Sequence, residues 1–321
     1  MFPGQSSKYP GMIDRILEIW PAGIACVSQA SEVLGRDLGA LYRADNEQAL
    51  LRNRDVQVGV FLANHLHMRA VEAGGLHADY SLGLSLGEFN HLVHIGALDF
   101  VDALRIVEAR GALYDDGPRG MMVALFPIEI EMVESLVDRV RSIGTVEIAN
   151  RNSPSQFVIA GEAGAVCEAA RIADVELGVS ATVIERRLPM HTSLFRPVAA
   201  RLHELLGDVR WRSPVRAYVS NVTGGFVERP TAAELRDLLA RHVHSPVRWR
   251  ESIDAIVARV PNAVFVEVGP KAVLYNLLQR RWHSNRKFAT DLEPRDTTHL
   301  PRLARTPSRS FESSASGEPH A

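Results

Sequence analysis

A serine between two glycines, in the run Gly83-Leu84-Ser85-Leu86-Gly87, constrains this chain more than any other feature. The pattern predicts a strand at 78–82, a sharp turn, and a helix at 88–98. Such a turn needs small residues two positions either side of the serine, because larger side chains would collide. It would lift the Ser85 hydroxyl to a helix N-terminus, where the N–H of Leu86 can face a developing oxyanion. The pattern therefore indicates a nucleophilic serine, and a glycine turn with a serine N-cap is the simpler alternative.

Alternating strands and helices place the chain in the α/β class. Residues 119–188 follow the order βαββαβ of a ferredoxin-like unit. We predict an α/β-hydrolase-like large subdomain from residues 1–118 and 189–286, into which this ferredoxin-like small subdomain is inserted. Residues 287–321 are rich in Pro, Ser and Arg, have few apolar side chains to bury, and are predicted to be a disordered tail.

Within this frame, a helix at 56–73 is apolar on more than one face, which predicts that it is buried. The other predicted elements are strands at 121–126, 146–149, 156–160, 181–188, 217–220 and 264–268, and helices at 128–143, 163–177, 232–241 and 252–260.

Composition narrows the classes of partner. The formal net charge is -2 and the sequence pI is about 6.6, so no global field would recruit nucleic acid. No apolar run reaches the roughly 18 residues that a membrane span needs. The two cysteines, Cys26 and Cys167, form neither a metal-ligand spacing nor a disulfide framework, which favours a cytoplasmic location.

A serine nucleophile needs a base, and the chain has 12 histidines. His91 and His94 lie on the helix after Ser85, which should carry them away from the hydroxyl. His191 follows the last predicted strand of the small subdomain, in a segment that returns beside the cleft between the subdomains. Its position makes it a candidate base, although lone histidines are more often structural.

Six sequence blocks appear in a fixed order along the chain. They are FPGQSSKYPGM at 2–12, GLSLGEFNHLVHIGALDFVDALRIVEARG at 83–111, NRNSPSQFVIAG at 150–161, SNVTG at 220–224, SPVRW at 245–249 and FVEVGP at 265–270. Together they resemble the malonyl-CoA:acyl-carrier-protein transacylase family, which includes the acyltransferase domains of polyketide synthases. The resemblance spans roughly residues 2–290, and six ordered blocks are far more specific than one motif.

This resemblance implies roles for particular residues. The family nucleophile matches Ser85 and its general base matches His191. Its oxyanion hole, made of two backbone N–H groups, falls on Gln5 and Leu86. The family histidine is usually oriented by a backbone carbonyl, which is expected here within 242–244. The lack of an acidic third member therefore does not count against catalysis.

Arg110 matches the family arginine that binds the free carboxylate of malonyl-type acyl groups. A planar guanidinium can hold a carboxylate through two parallel hydrogen bonds. The alternative is a helix-surface arginine paired with Glu108 or Asp115.

Three departures from the family pattern bear on the substrate. Tyr114 stands where methionine is common, Met190 where serine or phenylalanine is usual, and His242 where glutamine is frequent. All three are expected to border the acyl pocket and to bind substrate, so the acyl group itself is left open.

The resemblance implies an acyltransferase that moves a malonyl-type group from acyl-CoA to the phosphopantetheine thiol of an acyl carrier protein. The expected mechanism is ping-pong through an acyl-serine, needs no metal or other cofactor, and serves polyketide or fatty-acid biosynthesis. The alternatives are an editing acyl-thioester hydrolase, a carrier-to-carrier acyltransferase, and a non-catalytic docking module. Arg110 argues against the hydrolase, and the intact pair of Ser85 and His191 argues against the docking module.

Overall fold

The first third of the chain is helical. The computed structural model describes residues 1–292. Its first helices are α1 (Met12–Ile19), α2 (Ile24–Leu34), α3 (Leu38–Leu41), α4 (Asn53–Ala73), α5 (Gly87–His94) and α6 (Phe100–Asp115). The Asp99 carboxylate caps α6 by accepting a hydrogen bond from the N–H of Asp102 at 2.9 Å.

Helix α4 runs through the centre of the large subdomain and packs against α6. Every residue from Asp55 to Met68 is buried, which confirms the expectation from its apolar pattern. At 21 residues it is the longest helix described, yet no helix within residues 1–292 is long and apolar enough to cross a membrane.

The small subdomain contains a four-stranded antiparallel sheet. Its elements are β1 (Met121–Phe126), α7 (Ile130–Val140), β2 (Val146–Ser153), β3 (Gln156–Gly161), α8 (Ala163–Arg171) and β4 (Ser180–Glu185). The predicted βαββαβ order is observed, and the strand order β2-β3-β1-β4 is that of a ferredoxin-like fold.

A separate apolar core holds this unit together, with Val123 and Leu125 of β1 packed with Val133 of α7 and Val166 of α8. The exact boundaries of the subdomain, 119 and 188, stay a prediction.

The rest of the chain completes the large subdomain. It contains α9 (Arg196–Gly207), β5 (Tyr218–Ser220), β6 (Gly225–Val227), α10 (Ala232–His242), α11 (Trp249–Arg259), β7 (Phe265–Glu267), α12 (Val273–Leu277) and β8 (Lys287–Ala289). Strands β5 and β6 pair antiparallel, and β7 and β8 pair parallel. The small subdomain is joined to this part by backbone bonds from Val247 N to Ala149 O and from Arg151 N to Val247 O, both 2.9 Å long.

The strand predicted at 78–82 is wrong as a regular element. The chain there is irregular, and a single parallel bridge joins Gly83 to Phe2. Two hydrogen bonds hold it, from Phe2 N to Leu82 O at 2.9 Å and from Leu84 N to Phe2 O at 3.0 Å. Because the pairing is limited to Phe2, no continuous ladder of hydrogen bonds extends along residues 78–82.

The predicted start of the disordered tail, residue 287, is also wrong. Residues 287–289 form β8, and the Asp291 side chain is buried just after it. That carboxylate accepts a hydrogen bond from the Tyr9 hydroxyl at 2.9 Å and pairs with Nε of Arg15 at 2.8 Å. The remainder of the predicted tail, 293–321, lies outside the described residues.

Candidate active site

The turn at Ser85 is sharp, and it leaves no room for side chains at the flanking glycines. Ser85 has a φ of 51°, in the left-handed region that costs a non-glycine residue about 1–3 kcal/mol. A Cβ at Gly83 would collide with the backbone of Gly87, and a Cβ at Gly87 would collide with the carbonyl of Phe2. Because α5 begins at Gly87, this turn presents the Ser85 hydroxyl at a helix N-terminus.

The predicted nucleophile and base meet directly. Oγ of Ser85 lies 2.9 Å from Nε2 of His191. Nδ1 of the same ring lies 2.9 Å from the carbonyl oxygen of His242. Since a carbonyl can only accept, Nδ1 carries the proton and Nε2 offers its lone pair to the Ser85 hydroxyl. The group that orients the histidine is thus a backbone carbonyl within the expected stretch, 242–244.

The environment of His191 keeps its ring neutral. The residue is only 3% exposed. Burial, and after it the positive charge that His242 can carry, hold the pKa of the His191 imidazole well below its ordinary value. A ring that is unprotonated at neutral pH is ready to accept the Ser85 proton.

The turn that carries Gln5 packs against Ser85. A Cβ at Gly4 would lie 2.9 Å from the carbonyl oxygen of Leu84 and 3.7 Å from Cβ of Ser85. Within residues 1–292, neither the N–H of Gln5 nor that of Leu86 donates a hydrogen bond to another protein atom. Two unengaged N–H groups beside a serine hydroxyl are what an oxyanion hole requires.

Arg110 is a buried cation on α6, 1% exposed. Its Nη1 donates to Oε1 of Gln57 at 2.6 Å, and its guanidinium lies 4.3 Å from the ring centroid of Tyr114. No carboxylate within the described part of the chain forms an ion pair with it. The alternative pairings are absent, because Glu108 pairs with Arg54 at 2.7 Å and Asp115 accepts from backbone N–H groups at the start of α4.

Known proteins resemble this chain along most of its length. The acyl transferase domain family matches residues 1–313. The malonyl CoA-acyl carrier protein transacylase of Bacillus subtilis (strain 168) is 30% identical over 294 residues, which is 90% of this chain and 91% of that protein. This chain belongs to the malonyl CoA-acyl carrier protein transacylase family.

Solved structures of the family agree with the fold. The transacylase of Clostridium perfringens superimposes with a TM-score of 0.84 at 28% identity, covering 92% of this chain and 94% of that one. A malonyl-transacylase in complex with a type II polyketide synthase acyl carrier protein gives 0.82 at 30% identity, covering 91% and 95%. The predicted fold class, an α/β-hydrolase-like large subdomain with a ferredoxin-like insertion, is confirmed by this agreement.

Of the three positions expected to border the acyl group, Met190 and His242 lie beside the dyad, and Tyr114 lies beside Arg110. Tyr114 is fully buried, and its ring meets Phe195 edge-on at 5.0 Å. Sδ of Met190 accepts a hydrogen bond from the side chain of Gln5 at 3.6 Å. The ring of His242 stacks on that of His191 with centroids 5.0 Å apart. Their contact with an acyl group stays a prediction.

Sequence reasoning missed Gln57, Asn221 and Glu88. Asn221 braces the turn, because its Oδ1 accepts from the N–H of Ser85 at 2.9 Å and its Nδ2 donates to the carbonyl of Gly83 at 2.6 Å. Glu88 is completely buried on α5. Both lie inside sequence blocks already recognised, SNVTG and GLSLGEF, so a polar residue in a buried setting was the available signal.

The other histidines of α5 are turned away from Ser85, as expected. Nδ1 of His91 lies 2.7 Å and Nδ1 of His94 2.9 Å from Oγ of Ser81. Within residues 1–292, no group of three His, Cys, Asp or Glu side chains could hold a metal ion.

Proposed function

We propose that this chain transfers a malonyl group from malonyl-CoA to the phosphopantetheine thiol of an acyl carrier protein, through an acyl-enzyme on Ser85. The observation that carries the proposal is the 2.9 Å contact between Oγ of Ser85 and Nε2 of His191. Membership of the transacylase family supports the same reaction.

In the first half-reaction, Nε2 of His191 takes the Ser85 proton while Oγ attacks the thioester carbonyl of malonyl-CoA. The negative charge that develops on the carbonyl oxygen is stabilised by the N–H groups of Gln5 and Leu86. When the C–S bond breaks, the histidine returns its proton to the leaving sulfur, and CoA departs as the thiol.

In the second half-reaction, His191 takes the proton of the carrier thiol, whose sulfur attacks the acyl-Ser85 carbonyl. The same two N–H groups stabilise the second tetrahedral intermediate. Collapse breaks the ester bond and returns the proton to Oγ, which regenerates the free enzyme.

Arg110 selects the acyl group in this proposal. A buried guanidinium without a carboxylate partner can pair with the free carboxylate of malonate, whereas an uncharged acyl chain would leave it unpaired. The same argument favours transfer of a carboxylated acyl group over hydrolysis of uncharged thioesters. Tyr114, Met190 and His242 are proposed to border the acyl group.

Intact-protein mass spectrometry after exposure to malonyl-CoA tests the nucleophile. The wild-type protein should gain one malonyl group, and Ser85→Ala should gain none. Ser81→Ala is a matched control, because Ser81 also contacts histidines but does not lie at the turn. A malonyl adduct that persists on Ser85→Ala would rule out Ser85 as the nucleophile.

Two finer points remain proposals. The acceptor is a carrier of fatty-acid or polyketide biosynthesis, and malonyl transfer assayed against purified carriers of both kinds would distinguish them.

A cytoplasmic location is inferred from Cys26 and Cys167, which are both free thiols. Recovery of the protein in an exported or membrane fraction of its cells would contradict that location.

A further inference from the structure

Glu88 is a buried carboxylate for which the mechanism above has no use. It lies on α5, just after the Ser85 turn, and is 0% exposed. Oε1 accepts a hydrogen bond from the Tyr218 hydroxyl at 2.5 Å and from the N–H of Asn221 at 3.3 Å. Oε2 lies 2.8 Å from Nδ1 of His242. Glu88 is thus a buried carboxyl group with two donors on Oε1 and an imidazole close to Oε2.

The contacts of Glu88 lead to both halves of the dyad. On the serine side, Asn221 holds the N–H of Ser85 through Oδ1 at 2.9 Å. On the histidine side, the carbonyl of His242 holds Nδ1 of His191 at 2.9 Å. One carboxylate therefore touches the two residues that fix the backbone of the nucleophile and the ring of the base.

The contact with His242 also bears on the position of its ring. Oε2 of Glu88 and Nδ1 of His242 lie 2.8 Å apart in a buried site, without the alignment of a hydrogen bond. This close approach limits the orientations open to the His242 ring, which stacks on His191 at 5.0 Å with an angle of 22° between the rings.

We propose that Glu88 is a positioning residue that aligns the dyad, acting on Ser85 through Asn221 and on His191 through His242. This inference rests on the proposed function, because it assigns Glu88 to the same site. Charge on the stacked His242 ring also opposes a second charge on His191, in keeping with the lowered pKa of His191, whose largest cause is burial.

Other titratable groups face this cluster from the neighbouring elements. Tyr218 on β5 stacks on His91 of α5, and burial raises the pKa of its hydroxyl, so it stays a neutral donor. Arg110 on α6 is a permanent cation close enough to attract Glu88 and to repel a charge on His191. The basicity of His191 therefore depends on its burial and on the charges that His242 and Arg110 bring to it.

Glu88→Gln tests the positioning role by steady-state kinetics with malonyl-CoA and a carrier protein. The amide nitrogen cannot accept a hydrogen bond, so Glu88 loses part of its contacts, and kcat should fall by about 10- to 100-fold, as expected when a buried donor loses its partner. KM should stay within about twofold, because Glu88 does not touch the substrate. Malonyl-Ser85 should still form, more slowly.

Glu72→Gln is the matched control, because Glu72 lies 3.9 Å from Nε2 of His94 and away from the dyad. A kcat equal to that of the wild type would overturn the proposal.

His242→Gln decides the question if Glu88→Gln does not fold. The substitution keeps the backbone carbonyl that holds His191 and an amide that can donate to Glu88, and it removes only the titratable ring. A charge on His242 lowers the pKa of His191, second only to burial, so loss of this ring should raise that pKa and move the acid limb of kcat/KM to higher pH. An acid limb that does not move would overturn the role of His242 in the proposal.

Different results would contradict the proposed function and the positioning role of Glu88. A wild-type protein that never forms malonyl-Ser85 would contradict the proposed function itself. A wild-type protein that forms the adduct, together with Glu88→Gln at full kcat, would contradict only the positioning role.

Discussion

The two ends of the candidate site differ in how far their buried polar groups are hydrogen-bonded. At the serine end, formed by Ser85, His191 and Asn221 with their partners, the Ser85 hydroxyl, the Ser85 N–H and both ring nitrogens of His191 are already hydrogen-bonded. At the acyl end, formed by Arg110, Tyr114 and Gln57, one hydrogen bond joins Arg110 to Gln57, and other polar atoms are left without a partner in the described part of the chain. Nε of Arg110, the Tyr114 hydroxyl and Nε2 of Gln57 have no hydrogen-bond partner among residues 1–292.

This difference agrees with the roles proposed for the two ends. A buried polar atom left unpaired costs about 1–3 kcal/mol, so an unpaired cluster persists only where it serves another purpose. The serine end is preorganised for a reaction that is the same for every acyl group. Within the described residues the acyl end has unpaired polar atoms, and in the proposed function a carboxylated acyl group completes it. Changes at the serine end should therefore affect all substrates alike, and changes at the acyl end should discriminate among them.

The largest expected effect comes from removing the base. His191→Ala should lower kcat about 10²–10⁴-fold, the range for loss of a general acid–base group. Malonyl-CoA and acetyl-CoA should lose the same factor, because the serine end does not contact the acyl substituent. Steady-state acyl transfer with both thioesters measures this, with His94→Ala as the control. A loss confined to malonyl-CoA would break the distinction between the two ends.

Arg110→Met should have the next largest effect, and it should be selective. For malonyl-CoA, kcat/KM should fall about 150- to 5,000-fold, since breaking a buried ion pair by removing one partner costs about 3–5 kcal/mol. For acetyl-CoA it should stay within about threefold or rise, because no carboxylate is involved. Arg54→Met, which removes a partly exposed arginine paired with Glu108, should change neither. Equal losses for both substrates would argue for a structural Arg110.

Features of this site formed by residues close together in the sequence could be predicted, and contacts between distant residues were harder to predict. The turn at Ser85 is encoded by five consecutive residues, and the steric collisions at Gly83 and Gly87 explain why the motif is so restrictive. The pairing of Ser85 with His191 spans 106 positions and came from the resemblance, because spacing alone left several histidines open.

Contacts formed only by tertiary packing were not predictable. Glu88 meets Tyr218 across 130 positions, and no periodicity shows that β5 lies beside α5. The regular strand predicted at 78–82 failed because the motif specifies a turn and not the length of the neighbouring segment. The tail was predicted to begin too early because β8 and Asp291 are held by backbone pairing and polar contacts, which a count of apolar residues does not detect.

A pair of tyrosines allows the same chemical change at both ends. Tyr218→Phe removes a hydroxyl that donates to Glu88 at 2.5 Å, and should lower the free energy of unfolding by about 1.5–3 kcal/mol. Tyr114→Phe removes a buried hydroxyl without a partner in the described chain, and should change it by less than about 0.5 kcal/mol. Urea denaturation of the ligand-free proteins measures both. A destabilisation of Tyr114→Phe as large as that of Tyr218→Phe would mean that the acyl end is not incomplete.

The smallest expected effect is the electrostatic effect of Arg110 on the pKa of His191. It tests whether the two ends act independently. Burial and then His242 are the larger causes that lower the pKa of His191, and the positive charge of Arg110 lowers it further. Below its pKa the ring is protonated and cannot take the Ser85 proton, so activity is lost as the pH falls through that value. Arg110→Met should therefore raise the pKa of His191 and move the acid limb of kcat/KM to higher pH.

Acetyl-CoA is the substrate to use for this profile, because it reports on the serine end without needing Arg110. Arg119→Met, at an exposed arginine, is the control and should leave the limb in place. A shift in Arg110→Met alone would show that the unpaired cation helps to keep the base neutral before substrate arrives. A bound malonyl carboxylate would cancel part of that charge, so the acyl end would adjust the basicity of the serine end according to which acyl group it holds. An unshifted limb would show instead that the two ends act independently, one selecting the substrate and the other performing the chemistry.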